Sequence, residues 1–134
     1  MEPNTHRSLD RALCGSPRAL KVGSAEVDLT TTQAMSADEH GLVHGGFIFG
    51  LADHAAMLAI NQPNVVLGSA DARFLAPVVV GEQLRAHARL AGVEGKRHKV
   101  EVQVKRGEQH VFEGTFVCVV PARHVLEAQR GGGT

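Results

Sequence analysis

From Gly45 to Gln62 the chain carries one carboxylate, Asp53, and the only other titratable side chain is its neighbour His54. The apolar residues of this run recur at helical spacing. Phe47, Leu51, Ala55 and Leu58 form one stripe, and Ile48, Ala52, Ala56 and Ala59 widen it. The alanines let such a helix lie close against a sheet, and Asn61 to Asn64, with Pro63 inside, stops it. Every other periodic stretch reads as strand. One long apolar helix among strands finds a home only if the sheet covers it. The expected fold is therefore α+β, a curved antiparallel sheet of about five to six strands wrapped around one central helix.

The strand reading rests on alternation. "LKVGSAEVDL" predicts a first strand near 19–31, with Val22, Ala25, Val27 and Leu29 mostly two apart. From Val65 to Val120, segments of about ten residues alternate with turn signals: "APVVVGE", "EGK" and "KRGE". Val100, Val102 and Val104 face one way and Lys99, Glu101 and Gln103 the other, as on a sheet with one solvated face. Between strand and helix, "TTQAMSADEHGLVHGG" is turn-rich and reads as a loop. Residues 1–18 form an N-terminal extension with at most a short helix around Ser8–Cys14. Residues 19–121 form one domain, and 122–134 form a tail whose end, "GGGT", is flexible.

A chain of 134 residues can bury a core, and its 43% apolar and 21% charged content is that of a globular protein. Zero formal net charge and the absence of Trp and Tyr argue against a nucleic-acid partner. No signal-peptide h-region and no span of roughly 20 apolar residues is present, so no membrane partner is expected. Cys14 and Cys118 fit no metal or redox spacing and read as free thiols of a reducing cytoplasm.

Asp53 demands an explanation. An unpaired buried carboxylate is costly, and no Lys or Arg lies within four residues to rescue it. It faces solvent at a helix edge, bonds a sheet residue such as Arg73, or is held for chemistry. The "HGG" at 44–46 supplies a complement, because the first N–H groups of a helix lack partners and glycine admits a substrate to the backbone. Such a terminus can hold the oxyanion of an acyl transfer. Gly46 and Asp53 lie roughly 10 Å apart along a helix, too far for one water to reach both. A two-fold dimer with antiparallel helices removes that obstacle.

The stretch "HGGFIFGLAD", followed by "FLAPVVVGE", resembles the hotdog-fold acyl-CoA thioesterases of the phenylacetate-pathway (PaaI) type over roughly Val22 to Val120. The resemblance implies that Asp53 is the general base or nucleophile of thioester hydrolysis. It likewise implies that the Gly45 N–H polarises the carbonyl, that His44 opens the turn, and that base and oxyanion donor come from different subunits; Gly46, next in the same helix start, is a further candidate donor. Family members often carry Asn six residues before the histidine, where this chain has Asp38, a candidate for positioning substrate. The C-terminal half also resembles the acyl-CoA-sensing domain of the fatty-acid repressor FapR, which implies a non-hydrolytic acyl-CoA binder as the alternative. The sixteen or so residues before the first strand leave no room for a helix-turn-helix.

Other groupings are weaker. Lys96, Arg97, Lys99, Lys105 and Arg106 form a solvated hairpin or a clamp for coenzyme A phosphates, with Arg73 and Arg85 as lesser candidates for the same contact. His40 and His44 lie four apart in a loop with no second ligand pair, so no metal and no cofactor are expected beyond the coenzyme A of the substrate. Glu39 and His44 approximate a hotdog hydratase spacing, but the double glycine suits the thioesterase. The expectation is a cytoplasmic thioesterase, homodimeric or homotetrameric, acting on acyl-CoA or acyl carrier protein thioesters, with the acyl chain near Phe47 and Phe49.

Overall fold

The computed structural model describes residues 1–127; the "GGGT" end expected to be flexible lies outside them. A short helix, α1 (Arg11–Cys14), precedes β1 (Ser16–Lys21) and β2 (Ser24–Thr30), followed by the long helix α2 (Gly45–Ile60). The remainder is β3 (Val66–Phe74), β4 (Gln83–Glu94), β5 (Arg97–Arg106) and β6 (Gln109–Val119). The single strand expected over 19–31 is thus a hairpin. Val22, which alternation counts among the apolar positions, sits in the turn and is 91% exposed. The alternation runs straight through this two-residue turn, so the pattern alone hides the break.

All six strands pair antiparallel in the order β1-β2-β4-β5-β6-β3. One concave row runs Val27, Ala86, Val104, Phe112 and Phe74, and the next runs Ala25, Ala88, Val102, Gly114 and Ala72. Their side chains meet α2, where Leu51, Ala52, Ala55, Ala56 and Leu58 are fully buried. Small residues on both sides of this contact let the helix approach the sheet closely. The convex face carries charge, with Arg18–Glu26, Arg85–Asp28 and Arg89–Glu101 ion pairs.

α2 ends on Asn61, whose left-handed backbone (φ 55°) returns an N–H to the Met57 carbonyl. The Asn61 side chain also accepts from the Asn4 N–H and donates to the Glu2 carbonyl, pinning the N-terminal segment across the helix. Gly15 follows α1 with φ 94°, and a Cβ there would stand 2.7 Å from Val27 and 2.8 Å from Leu51. Only glycine fits. On the opposite side β3 is a sheet edge, with Ser69, Ala70 and Asp71 exposed.

Candidate active site

The helix start supplies donors. His44 occupies the N-cap in extended conformation and makes no capping side-chain bond; among the described residues the Gly45 and Gly46 amides have no acceptor. A Cβ on Gly45 would lie 3.3 Å from the Phe74 ring, and one on Gly46 would lie 3.1 Å from the His44 imidazole. His44 itself is exposed, edge-on to Phe47.

Asp53 lies two turns further on, and Gly46, Phe49, Gly50 and Asp53 form the less buried stripe of α2. A Cβ on Gly50 would touch nothing within 4 Å, so this stripe borders open space. One Asp53 oxygen, Oδ1, is nevertheless withdrawn from water and has no hydrogen-bond partner. Desolvation lifts the carboxyl pKa from its ordinary 3.8 to about 6. Of the three expectations for this residue, the bond to Arg73 fails; Asp53 lies half-buried on the open side of the helix with one oxygen withdrawn from water. Arg73 pairs with Glu113 in a cross-strand row that continues through Gln103 and His87 on the convex face, away from the helix.

His54 points elsewhere. It is buried, its Nδ1 is 3.0 Å from the Cys14 carbonyl oxygen, and burial lowers its pKa, so it is held neutral as a donor. Cys14 and Cys118 are both free. Burial pushes the Cys118 thiol up to about 12, with the Asp53 charge adding to it, and burial raises Cys14 in the same direction. Neither is a thiolate nucleophile near neutral pH.

The other sequence candidates scatter. Asp38 is part of the loop's construction, because its Oδ1 accepts the His40 and Leu42 amides at 2.9 and 3.1 Å. An asparagine oxygen accepts the same two bonds, so the Asp38 exchange leaves this turn intact. Phe47 and Phe49, expected beside the acyl chain, are half-buried on α2 and line no part of the apolar slot described below; Phe49 belongs to Asp53's stripe and packs on Phe116 with ring centres 5.4 Å apart. Lys96, Arg97 and Lys99 are exposed at the β4–β5 turn, beside Val119 and Val120, at the sheet end opposite Gly45. Within one chain they are no part of the site, and they approach it only if a partner supplies them. No hydrogen bond or ion pair joins Glu39 to His44 among the described residues, and no group of His, Cys, Asp or Glu there gathers as a metal site. Arg106, counted in sequence with the phosphate clamp, is spoken for. It donates to the Pro77 carbonyl (2.8 Å) and to Glu82 Oε1 (2.9 Å), and it bonds Gln109.

Glu82, the acid of "PVVVGE", is what the sequence reading left without a role. Its Oε1 also accepts the Val79 amide at 2.7 Å, while its own amide donates to Thr31 Oγ1, which in turn donates to the Val79 carbonyl. This knot fixes the connection between β3 and β4 to the loop after β2 and the end of β5, and the connection meets the start of α2 where the Val43 amide donates to the Val78 carbonyl. Between the connection and the helix lies an apolar slot that includes Gly45, Ile48, Phe74 and Ala76. The exposed Phe74, Leu75 and Leu42 were the available signal, an apolar cluster that a monomer has no structural need to show.

The sequence profile of the thioesterase superfamily matches residues 40–113, more than half of the chain, and the chain belongs to that superfamily. Its fold is the hotdog. It is similar to an uncharacterised protein of Pyrococcus horikoshii (53% identity over 94% of this chain and 97% of the other, TM-score 0.93). It also resembles a mutant of the phenylacetic acid degradation protein PaaI of Thermus thermophilus (26% identity over 83% and 96%, TM-score 0.75). A methylthioribose-1-phosphate isomerase of Aquifex aeolicus is 49% identical over 89% of this chain, which spans only about a quarter (26%) of that protein. A transcription factor FapR of Caldanaerobacter subterraneus is 33% identical over 58% of the chain and 39% of its own length. Among the described residues no helix is long and apolar enough to cross a membrane.

Proposed function

We propose that this protein is a cytoplasmic acyl-CoA thioesterase working as a two-fold dimer, with acyl carrier protein thioesters as a second substrate form. The observation that carries the reading is the unpartnered, water-excluded oxygen of Asp53 on the same helix stripe as Gly46. A carboxylate kept without a partner, at a pKa of about 6, is ionised and basic at neutral pH. The free edge of β3 and the open Gly46–Gly50 stripe support pairing about a two-fold axis. That pairing sets one helix start beside the middle of its neighbour.

In this assembly the thioester oxygen accepts the Gly45 N–H, with Gly46 next to it. The partner's Asp53 takes a proton from water as the water oxygen bonds to the carbonyl carbon, and the displaced electron pair rests on the oxyanion. Re-forming the carbonyl breaks the C–S bond, and the departing thiolate takes the proton from Asp53. Direct attack by the carboxylate through a mixed anhydride uses the same placement.

Thiol release from acyl-CoA tests the reading, and mixing two inactive variants tests the shared site. Gly45→Pro removes the donor at the first helical position, where the backbone accepts proline and the added Cβ asks only the exposed Phe74 ring to give way, and Asp53→Ala removes the base. Re-equilibrated together, they should recover about a quarter of wild-type activity, because half the dimers then carry one intact site. No recovery refutes a site built from two chains. The FapR likeness favours a second reading, an acyl-CoA binder without turnover. Tight acyl-CoA binding with no thiol release in the wild type selects it.

A further inference from the structure

The slot beside Gly45 has a volume of about 330 Å³, and no polar side chain lines it. Its walls are Ile48 from α2, Phe74 at the end of β3, and Leu75, Ala76 and Val78 from the connection held by Glu82. We propose that it is the acyl subsite, that it restricts the substrate to thioesters of uncharged hydrocarbon acids, and that Phe74 and Ala76 set the length accepted. The proposal rests on the thioesterase reading above.

A thioester whose oxygen meets the Gly45 amide sends two arms away from that point, and the slot opens beside it. The pantetheine arm carries two amides that must keep hydrogen bonds, and a wall without polar side chains leaves them unmet. The hydrocarbon arm loses nothing there, and each methylene buried improves binding about fourfold. A terminal carboxylate finds no counter-charge. The cation beside the wall, Arg106, is already occupied by Glu82 and the Pro77 carbonyl. Phe74 forms the mouth: its ring stands against Gly45, packs edge-on to Phe112 at 5.1 Å, and is 53% exposed. Ala76 is half-buried in the wall, where a larger side chain fills the slot from one side.

The test compares acetyl-, butyryl-, hexanoyl-, octanoyl- and succinyl-CoA in the wild type, Ala76→Leu and Phe74→Ala, with melting temperatures as the folding control. In the wild type, kcat/KM should rise about fourfold per methylene until the slot is full. Succinyl-CoA should fall on the order of a hundredfold below butyryl-CoA. Ala76→Leu should abolish the rise beyond butyryl, lowering turnover of the longer esters far more than that of acetyl-CoA. Phe74→Ala should move the optimum to longer chains, and it decides the matter alone if Ala76→Leu does not fold. A flat length profile, succinyl-CoA turned over as well as butyryl-CoA, or unchanged length dependence in the variants overturns the subsite and leaves the thioesterase standing. No thiol release from any ester refutes the thioesterase instead. The slot is then judged by calorimetric binding of the same series, where the per-methylene gradient supports it and a flat series overturns it.

Discussion

Two consecutive residues of α2, the buried His54 and the half-buried Asp53 with one oxygen withdrawn from water, are treated differently by the chain. His54 faces the N-terminal segment, where the Cys14 carbonyl meets its ring at 3.0 Å. Asp53, about 100° round the helix, faces the side bordered by the free β3 edge, and its buried oxygen meets nothing. A fold that needed both residues only for packing would have satisfied both or replaced both with apolar side chains. The difference sets a polar group bonded within the molecule against one whose buried oxygen has no partner in the chain.

The largest effect should come from removing the unpartnered carboxylate. Asp53→Ala should lower kcat for thioester hydrolysis by about 10²- to 10⁴-fold, the usual worth of a positioned base, measured by thiol release. The rate of the wild type should also fall as pH drops through about 6, where Asp53 becomes protonated; a rate flat from pH 5 to 8 contradicts its role as base.

Stability should move the opposite way. The folded Asp53 pKa lies above its ordinary 3.8, so its contribution favours the fold below 3.8 and is lost as pH rises through 6. Asp53→Asn should therefore raise unfolding free energy by up to about 3 kcal/mol at pH 8, with little gain at pH 4. His54 has the reverse sign. Its folded pKa is lowered by burial, against which the bond to the Cys14 carbonyl works, with Arg11 adding to the lowering. Its contribution is present above pH 6.5 and is lost as pH falls through the depressed value. His6 is lowered too, by burial and by His54, and it reinforces the acid-side loss. His54→Leu should cost about 1–3 kcal/mol at neutral pH by orphaning the Cys14 carbonyl, with kcat per folded molecule retained. Denaturant unfolding across pH distinguishes the two sides, and equal pH profiles for both variants would erase the contrast. The smallest effect belongs to Arg73→Ala on the convex face, expected within about 0.5 kcal/mol and without change in rate.

Much of this was legible in the sequence because it is periodic. The helix from Gly45 to Ile60 and the inward valines of β5 follow from spacing, and Asp53 stood out against apolar surroundings. What escaped depends on contacts between residues far apart in the chain. The Val22–Gly23 turn kept the alternation intact and so left no mark. The bond from His54 to Cys14 spans 40 residues and joins a buried ring to a polar segment without a pattern of its own. Arg106 read as a surface cation because its partner Glu82 lies 24 residues away across the sheet end. Arg73 was a plausible partner for Asp53 until strand register assigned it to the other face.

The knot at Glu82 draws together the loop after β2, the crossover after β3 and the turn after β5. One wall of the slot is therefore tensioned from residues that never approach a bound molecule. Drift at the β5–β6 turn would slacken or tighten that wall, so if the slot is the acyl subsite proposed above, relatives could diverge in diet while keeping every residue of its lining unchanged.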